Sequence, residues 1–139
     1  MLVKEIMTHN AQAISPDQTL EQAARMMEEL NVGPLPVCEG NRVVGILTDR
    51  DITVRATAAG CDPKTTLVHE AMSQDITSCR EDQDVSEAAR LMKEKQIRRL
   101  LVVNDANELV GIVSLADLAS HAPDPKQPSE VLGKVSQPS

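Results

Sequence analysis

Two short segments carry the groups with the clearest chemistry. Thr48 is followed three positions later by Asp51, and Ser114 is followed three positions later by Asp117. Each hydroxyl residue closes an apolar run with one glycine: Val43-Val44-Gly45-Ile46-Leu47 before Thr48, and Leu109-Val110-Gly111-Ile112-Val113 before Ser114. A carboxylate at such a place has two possible uses. It accepts hydrogen bonds from two vicinal hydroxyls. It also completes a capping box, in which hydroxyl and carboxylate each take an amide at a helix start. The spacing by itself favours the cap. A glycine in the run lets a ligand approach the backbone, and a helix N-terminus offers amides to phosphate.

The rest of the reactive inventory is thin. Cys38, Cys61 and Cys79 contain no C-x-x-C pair, and His9, His69 and His121 show no ligand spacing. They read as free cytosolic thiols. A redox or zinc sensor using Cys38, Cys61 and a histidine is an alternative without support from spacing. No Ser-His-Asp set, P-loop or metal-ligand cluster is present, so no enzyme is expected.

The two segments belong to a longer internal repeat. Met7 and Met72, Leu20 and Val85, Ala23-Ala24 and Ala88-Ala89, Met27 and Met92, and Val37 and Val102 all stand 65 positions apart. Gly45 and Gly111 stand 66 apart, so the second copy gains one residue in the turn at Asn104-Asp105-Ala106-Asn107. Turns absorb such insertions; strands do not, because a one-residue slip flips every side chain.

Each copy reads β-α-β-β-α. Val3–Met7 is a helical lead-in and Ala13-Ile14 a short strand. Thr19 and Gln22 form a capping box for a helix whose stripe is Leu20, Ala23, Ala24 and Met27. Asn31 and Gly33 end it. Leu35–Cys38 reads as an edge strand or a strand start because Pro34 and Pro36 lack amide donors, and Arg42–Leu47 as a buried one. Thr48 opens a helix to about Ala59 with Ile52, Ala56 and Ala59 on its apolar face.

The second copy repeats this with a lead-in at Val68–Met72 and a strand at Ile76–Cys79. An Asp84/Glu87 box starts the helix Val85–Glu94. Strands Leu100–Asn104 and Leu109–Val113 follow, then a helix from Ser114 to about Ser120. Cys79 replaces Ile14 of the first copy and reads as a small core residue. The boundaries are 3–60 for the first copy, 61–67 for a loop, 68–121 for the second copy and 122–139 for a proline-rich polar tail. That tail is expected to be disordered and dispensable. The fold class is α/β with pseudo-two-fold symmetry, and half a chain is small enough that the two copies are expected to share one core.

The formal net charge of −7 opposes nucleic-acid and anionic-membrane binding, which need clustered cations. No apolar stretch suits a membrane span or a signal peptide, and a cytoplasmic protein is expected. The absence of Phe, Tyr and Trp excludes aromatic cages and stacking platforms.

With both copies in phase, the chain resembles a cystathionine-β-synthase-type (CBS) domain pair, or Bateman module, most like the small stand-alone bacterial members. The residues that carry the resemblance are Ile6-Met7-Thr8, Met26-Met27, Val32-Gly33-Pro34-Leu35-Pro36-Val37 and Val44–Asp51. Their partners are Ala71-Met72-Ser73, Ile97–Val103 and Val110–Asp117. The resemblance implies a non-catalytic regulatory module that binds AMP, ADP, ATP, S-adenosylmethionine or NAD in clefts between the repeats. It also implies a homodimer that signals to a separate effector protein. The adenine nucleotide is then a regulatory ligand, and no cofactor is required. Thr48 and Ser114 would reach phosphate, Asp51 and Asp117 the ribose, and Arg98 and Arg99 the phosphates. Ile14, Pro36, Val37 and Arg50 complete the expected contacts. A ligand-free dimerisation module is the competing reading. The first copy has Gly33-Pro34 where the second has Arg98-Arg99, so the two sites are chemically unequal.

Overall fold

The structure, a computed structural model, describes residues 1–121. The expected disordered tail from Ala122 lies outside them. The chain divides into two compact units, residues 12–76 and residues 1–11 with 77–121.

The lead-in Val3–Glu5 is a 3₁₀ turn, and Thr8–His9 forms a two-residue strand, β1. Both belong to the unit built on the second copy. Helix α1 (Leu20–Leu30) starts as its sequence dictates. The Gln22 amide donates to Thr19 Oγ1 at 3.2 Å and the Thr19 amide to Gln22 Oε1 at 2.9 Å, so two otherwise unpaired amides are satisfied. Leu20, Ala23 and Met27 are buried, and Asn31 ends the helix in the left-handed region at φ 54.

β2 (Leu35–Glu39) and β3 (Arg42–Leu47) pair antiparallel. The expected strand at Ala13-Ile14 is only a bridge: the Ile14 amide donates to the Pro36 carbonyl at 3.0 Å and the Cys38 amide to the Ile14 carbonyl at 2.9 Å. β2 is therefore flanked on both sides, so of the two readings its prolines allowed, the strand start holds and the edge does not. The pairing uses the Pro36 carbonyl, so the missing donor costs no ladder bond. On the far side of β3, Ser73 and Ile46 exchange two backbone hydrogen bonds of 2.9 Å each.

α2 (Asp49–Asp51) continues into a π-helical turn, Ile52–Thr57. The wider winding breaks the expected face, because residues spaced for 3.6 per turn no longer align. Ala56 is buried, Ile52 is half-buried and Ala59 is exposed. α3 (Val68–Ala71) ends this unit's regular structure.

In the other unit, β4 (Ser78–Arg80), α4 (Val85–Lys95), β5 (Arg99–Val103), β6 (Leu109–Ser114) and α5 (Leu115–His121) follow. The sheet order is β1-β6-β5-β4, with only β4 and β5 parallel. The order in the first unit is the same, with Ser73 in place of β1 and Ile14 in place of β4. Asp84 caps α4 through the Ser86 amide at 3.0 Å and hydroxyl at 2.7 Å. The expected box with Glu87 does not form, since Glu87 pairs with Arg90 at 2.8 Å. The Ser86 hydrogen bonds hold the Asp84 carboxyl down to about 2.

The expectation of one shared core is corrected by two separate clusters. Val3, Ile6 and Met7 pack with Cys79, Met92, Leu100, Val102 and Val113. Val68 and Ala71, with Met72 alongside, pack with Ile14, Leu20, Leu35, Val37 and Leu47. Each unit borrows the lead-in of the other copy, and that loan supplies the apolar cover a lone half lacks.

Cys79 is a core residue, as expected, 2 % exposed, and burial pushes its thiol up to about 11. Burial raises Cys38 as well, while Cys61 is exposed. Alkylation of the native protein at neutral pH should therefore label Cys61 at least about tenfold faster than the other two, because the thiolate is the nucleophile. Peptide mass mapping checks this, and equal rates would contradict the burial of Cys38 and Cys79. The fold favours the neutral Cys79 thiol, so its contribution to stability is whole below the ordinary thiol value. It is lost as pH climbs toward about 11.

Candidate functional site

Both hydroxyl–aspartate pairs lie where a strand turns into a helix, β3 into α2 and β6 into α5. The Thr48 amide donates to Asp51 Oδ2 at 2.9 Å, and the Asp51 amide to Thr48 Oγ1 at 3.0 Å. The Ser114 amide donates to Asp117 Oδ2 at 2.8 Å, and the Asp117 amide to Ser114 Oγ at 3.1 Å. The capping boxes are thus formed in both units. They consume one oxygen of each carboxylate and fix its direction. Among the described residues, Asp117 Oδ1 has no hydrogen-bond partner, and Asp51 Oδ1 has only Arg55 Nε at 3.8 Å. Cap and ligand acceptor are therefore compatible roles for the same side chain.

Arg55 was missed in reading the sequence. Its Nη1 also donates to the Met72 carbonyl at 3.3 Å, joining Asp51 to the borrowed lead-in. The signal was present, since Arg55 stands four residues after Asp51, the spacing of a helical ion pair. Arg50, named from sequence, is exposed, and its side chain makes no bond among the described residues. Its amide donates to Asp49 Oδ1 at 3.0 Å.

In the other unit, Arg99 sits directly across from Ser114 in the β5–β6 register. The Arg98 carbonyl accepts from the Leu115 amide at 2.8 Å. The structure therefore brings Arg98, Arg99, Ser114 and Asp117 to one end of the sheet, with both arginines exposed. Ile14, Pro36 and Val37 are fully buried, so their side chains serve the core in this structure.

The role read for the glycines is corrected. A Cβ at Gly111 would lie 2.7 Å from the Thr8 carbonyl and 2.8 Å from Met7 Sδ. At Gly45 it would lie 2.6 Å from Met72 Sδ and 3.0 Å from the Ser73 carbonyl. These glycines admit the borrowed lead-in, not a ligand. Among the described residues no group of three His, Cys, Asp or Glu is placed to hold a metal ion. No helix among them is long and apolar enough to cross a membrane.

The CBS domain family matches residues 3–56 and 68–124. The CBS domain-containing protein YhcV of Bacillus subtilis (strain 168) is 47% identical over 117 residues, covering 84% of this chain and 82% of YhcV. Among solved structures, Hypoxic Response Protein I with two coordinated zinc ions is similar at 36% identity and TM-score 0.78, over 87% of this chain and 98% of that one. The CBS domain pair of protein MJ0100, in complex with 5′-methylthioadenosine and S-adenosyl-L-methionine, is 27% identical. Its TM-score is 0.73, over 86% of this chain and 94% of that one. CBSX2 in complex with AMP is 26% identical with TM-score 0.73, over 86% and 93%.

Proposed function

The chain belongs to the CBS domain family, and we propose that it is a non-catalytic regulatory module whose ligand is an adenosine derivative. AMP, ADP, ATP, S-adenosylmethionine and NAD are the candidates, held by Asp51 in one unit and Asp117 in the other. The observation that carries this reading is the matched pair of capping boxes. Each holds a carboxylate by one oxygen and leaves the other for ribose hydroxyls. The adenosine ligands of MJ0100 and CBSX2 support it. The nucleotide acts as a signal, not a cofactor, and the output passes to an effector protein in the cytoplasm.

The test is a melting curve by circular dichroism with each ligand in turn. A ligand that binds only the native state at a hundred times its Kd adds about 2.7 kcal/mol. No shift with any of them would sink the reading. Arg99→Ala should weaken ATP several-fold more than adenosine, since only ATP offers phosphates to a guanidinium. Titration calorimetry separates the two ligands, and equal losses would remove Arg99 from phosphate binding.

A second reading is a ligand-free homodimerising module. Val54, 51% exposed beside half-buried Ile52 on the π-helical turn, favours self-association. Sedimentation at tens of micromolar, an order-of-magnitude choice for a weak interface, should give twice the chain mass. A single-chain mass would exclude the dimer.

A further inference from the structure

Helices α1 and α4 end in the same way. Asn31 and Gln96 both take the left-handed region at φ 54. The next amides, Val32 and Ile97, donate to the Met27 and Met92 carbonyls at 3.1 and 3.0 Å. The backbone thus presents the last turn of each helix alike, but the charges are opposite. Glu28, Glu29 and Leu30 end α1 where Lys93, Glu94 and Lys95 end α4. Arg90 holds Glu94 and Glu87 at 2.8 Å each, so the α4 end is left with its lysines. Arg25 turns back to Glu21 at 3.6 Å, so the α1 end is left with its glutamates. Among the described residues Glu28, Glu29, Lys93 and Lys95 form no ion pair.

The lysines are accounted for within the chain, because cations suit the negative end of a helix. The glutamates are not. Anions there oppose the helix dipole, and the last turn of α1 holds no basic residue to offset them. Leu30, 41% exposed, adds an apolar side chain at the same place. That end also lies at the start of the helix that carries Val54. Asp49, the first residue of α2, has Oδ1 3.1 Å from where a Cβ on Gly33 would stand. Asp49 and Arg50 cancel in charge, so Glu28 and Glu29 set the sign of this end.

We infer that the end of α1 is an interaction surface for a second copy of this chain, and that the end of α4 on that copy is what it meets. The inference rests on the homodimer reading above and gives it an orientation. The Lys93 and Lys95 ammonium groups face Glu28 and Glu29, while their methylene stems cover Leu30. Two-fold symmetry makes the contact twice, because a pair i–j across the axis implies j–i. The alternative, α1 end against α1 end, gathers the glutamates of both copies and is disfavoured by like-charge repulsion. Each exposed pair is weak alone, so the charges select the orientation in concert.

The test is charge reversal in the full chain, read by sedimentation. Glu28→Lys with Glu29→Lys, and separately Lys93→Glu with Lys95→Glu, should each weaken pairing at least about tenfold, because attraction becomes repulsion. An equal mixture of the two double variants should pair again to within about threefold of the parent, because every contact between unlike chains is then complementary. Circular dichroism checks that each variant melts as the parent does. Where a reversal does not, Gln at the same positions replaces it and should weaken pairing about threefold. A parent that dimerises and is unmoved by either reversal, or by the Gln variant in its place, has its interface elsewhere, and the inference is overturned. A mixture of the reversed chains that fails to pair overturns it too, and leaves a basic segment of another protein as the occupant of the α1 end. A parent of single-chain mass sinks the homodimer reading itself, and the inference with it.

Discussion

Gly111→Ala is expected to destabilise the protein by about 2–3 kcal/mol, the upper part of the range for overpacking a closed site. The added methyl would meet the Thr8 carbonyl at 2.7 Å and Met7 Sδ at 2.8 Å. A methionine side chain can turn aside, but the Thr8 carbonyl belongs to the backbone of β1, which is paired to β6 at that register. The clash is therefore relieved only by parting the borrowed lead-in from the sheet. Restricting the unfolded chain returns only about 0.4–1 kcal/mol. A fall in Tm of about 5–15 °C is expected for a chain of this size. Gly45→Ala should cost less, because the tightest contact there is the flexible Met72 thioether and the Ser73 carbonyl stands off at 3.0 Å. Thermal melts of the two variants decide this. A drop below about 2 °C for Gly111→Ala would mean that the lead-in does not sit on β6.

Asp117→Ala is expected to weaken binding of ATP or ADP by about 1.5–3 kcal/mol, the range for hydrogen bonds to a charged group. The same change removes the acceptor of the Ser114 amide and should cost the free protein about 1 kcal/mol, as loss of a cap does. The two effects are read separately, by calorimetry and by the melt without ligand. Asp51→Ala should cost a similar amount in the melt, because its box has the same geometry. It should cost less in ATP affinity, because Gly33 and Pro34 offer no guanidinium there. Equal losses of ATP affinity would abolish the inequality of the two sites. Loss of stability without loss of affinity in both would leave the aspartates as helix caps alone.

The sequence by itself determined what depends on neighbours a few residues away. The boxes Thr19/Gln22, Thr48/Asp51 and Ser114/Asp117 form as their spacing dictates, because donor and acceptor are joined by one helical turn. The repeat was legible for the same reason: apolar stripes and turn residues recur in one order, and they fixed the element types and the CBS domain pair. Even there one local signal misled, since Glu87 found Arg90 instead of closing a box with Asp84. What joins distant parts of the chain was decided only by the tertiary structure. The exchange of lead-ins, with Met7 on Gly111 and Met72 on Gly45, has no trace in either copy read alone. Both glycines would satisfy the pattern whatever lay above them. Arg55 became part of the Asp51 surroundings through the Met72 carbonyl. Hydrogen bonds that close one turn are encoded by spacing. Contacts that close a sheet depend on which segment arrives, and residue identity alone leaves that choice open until the chain is folded.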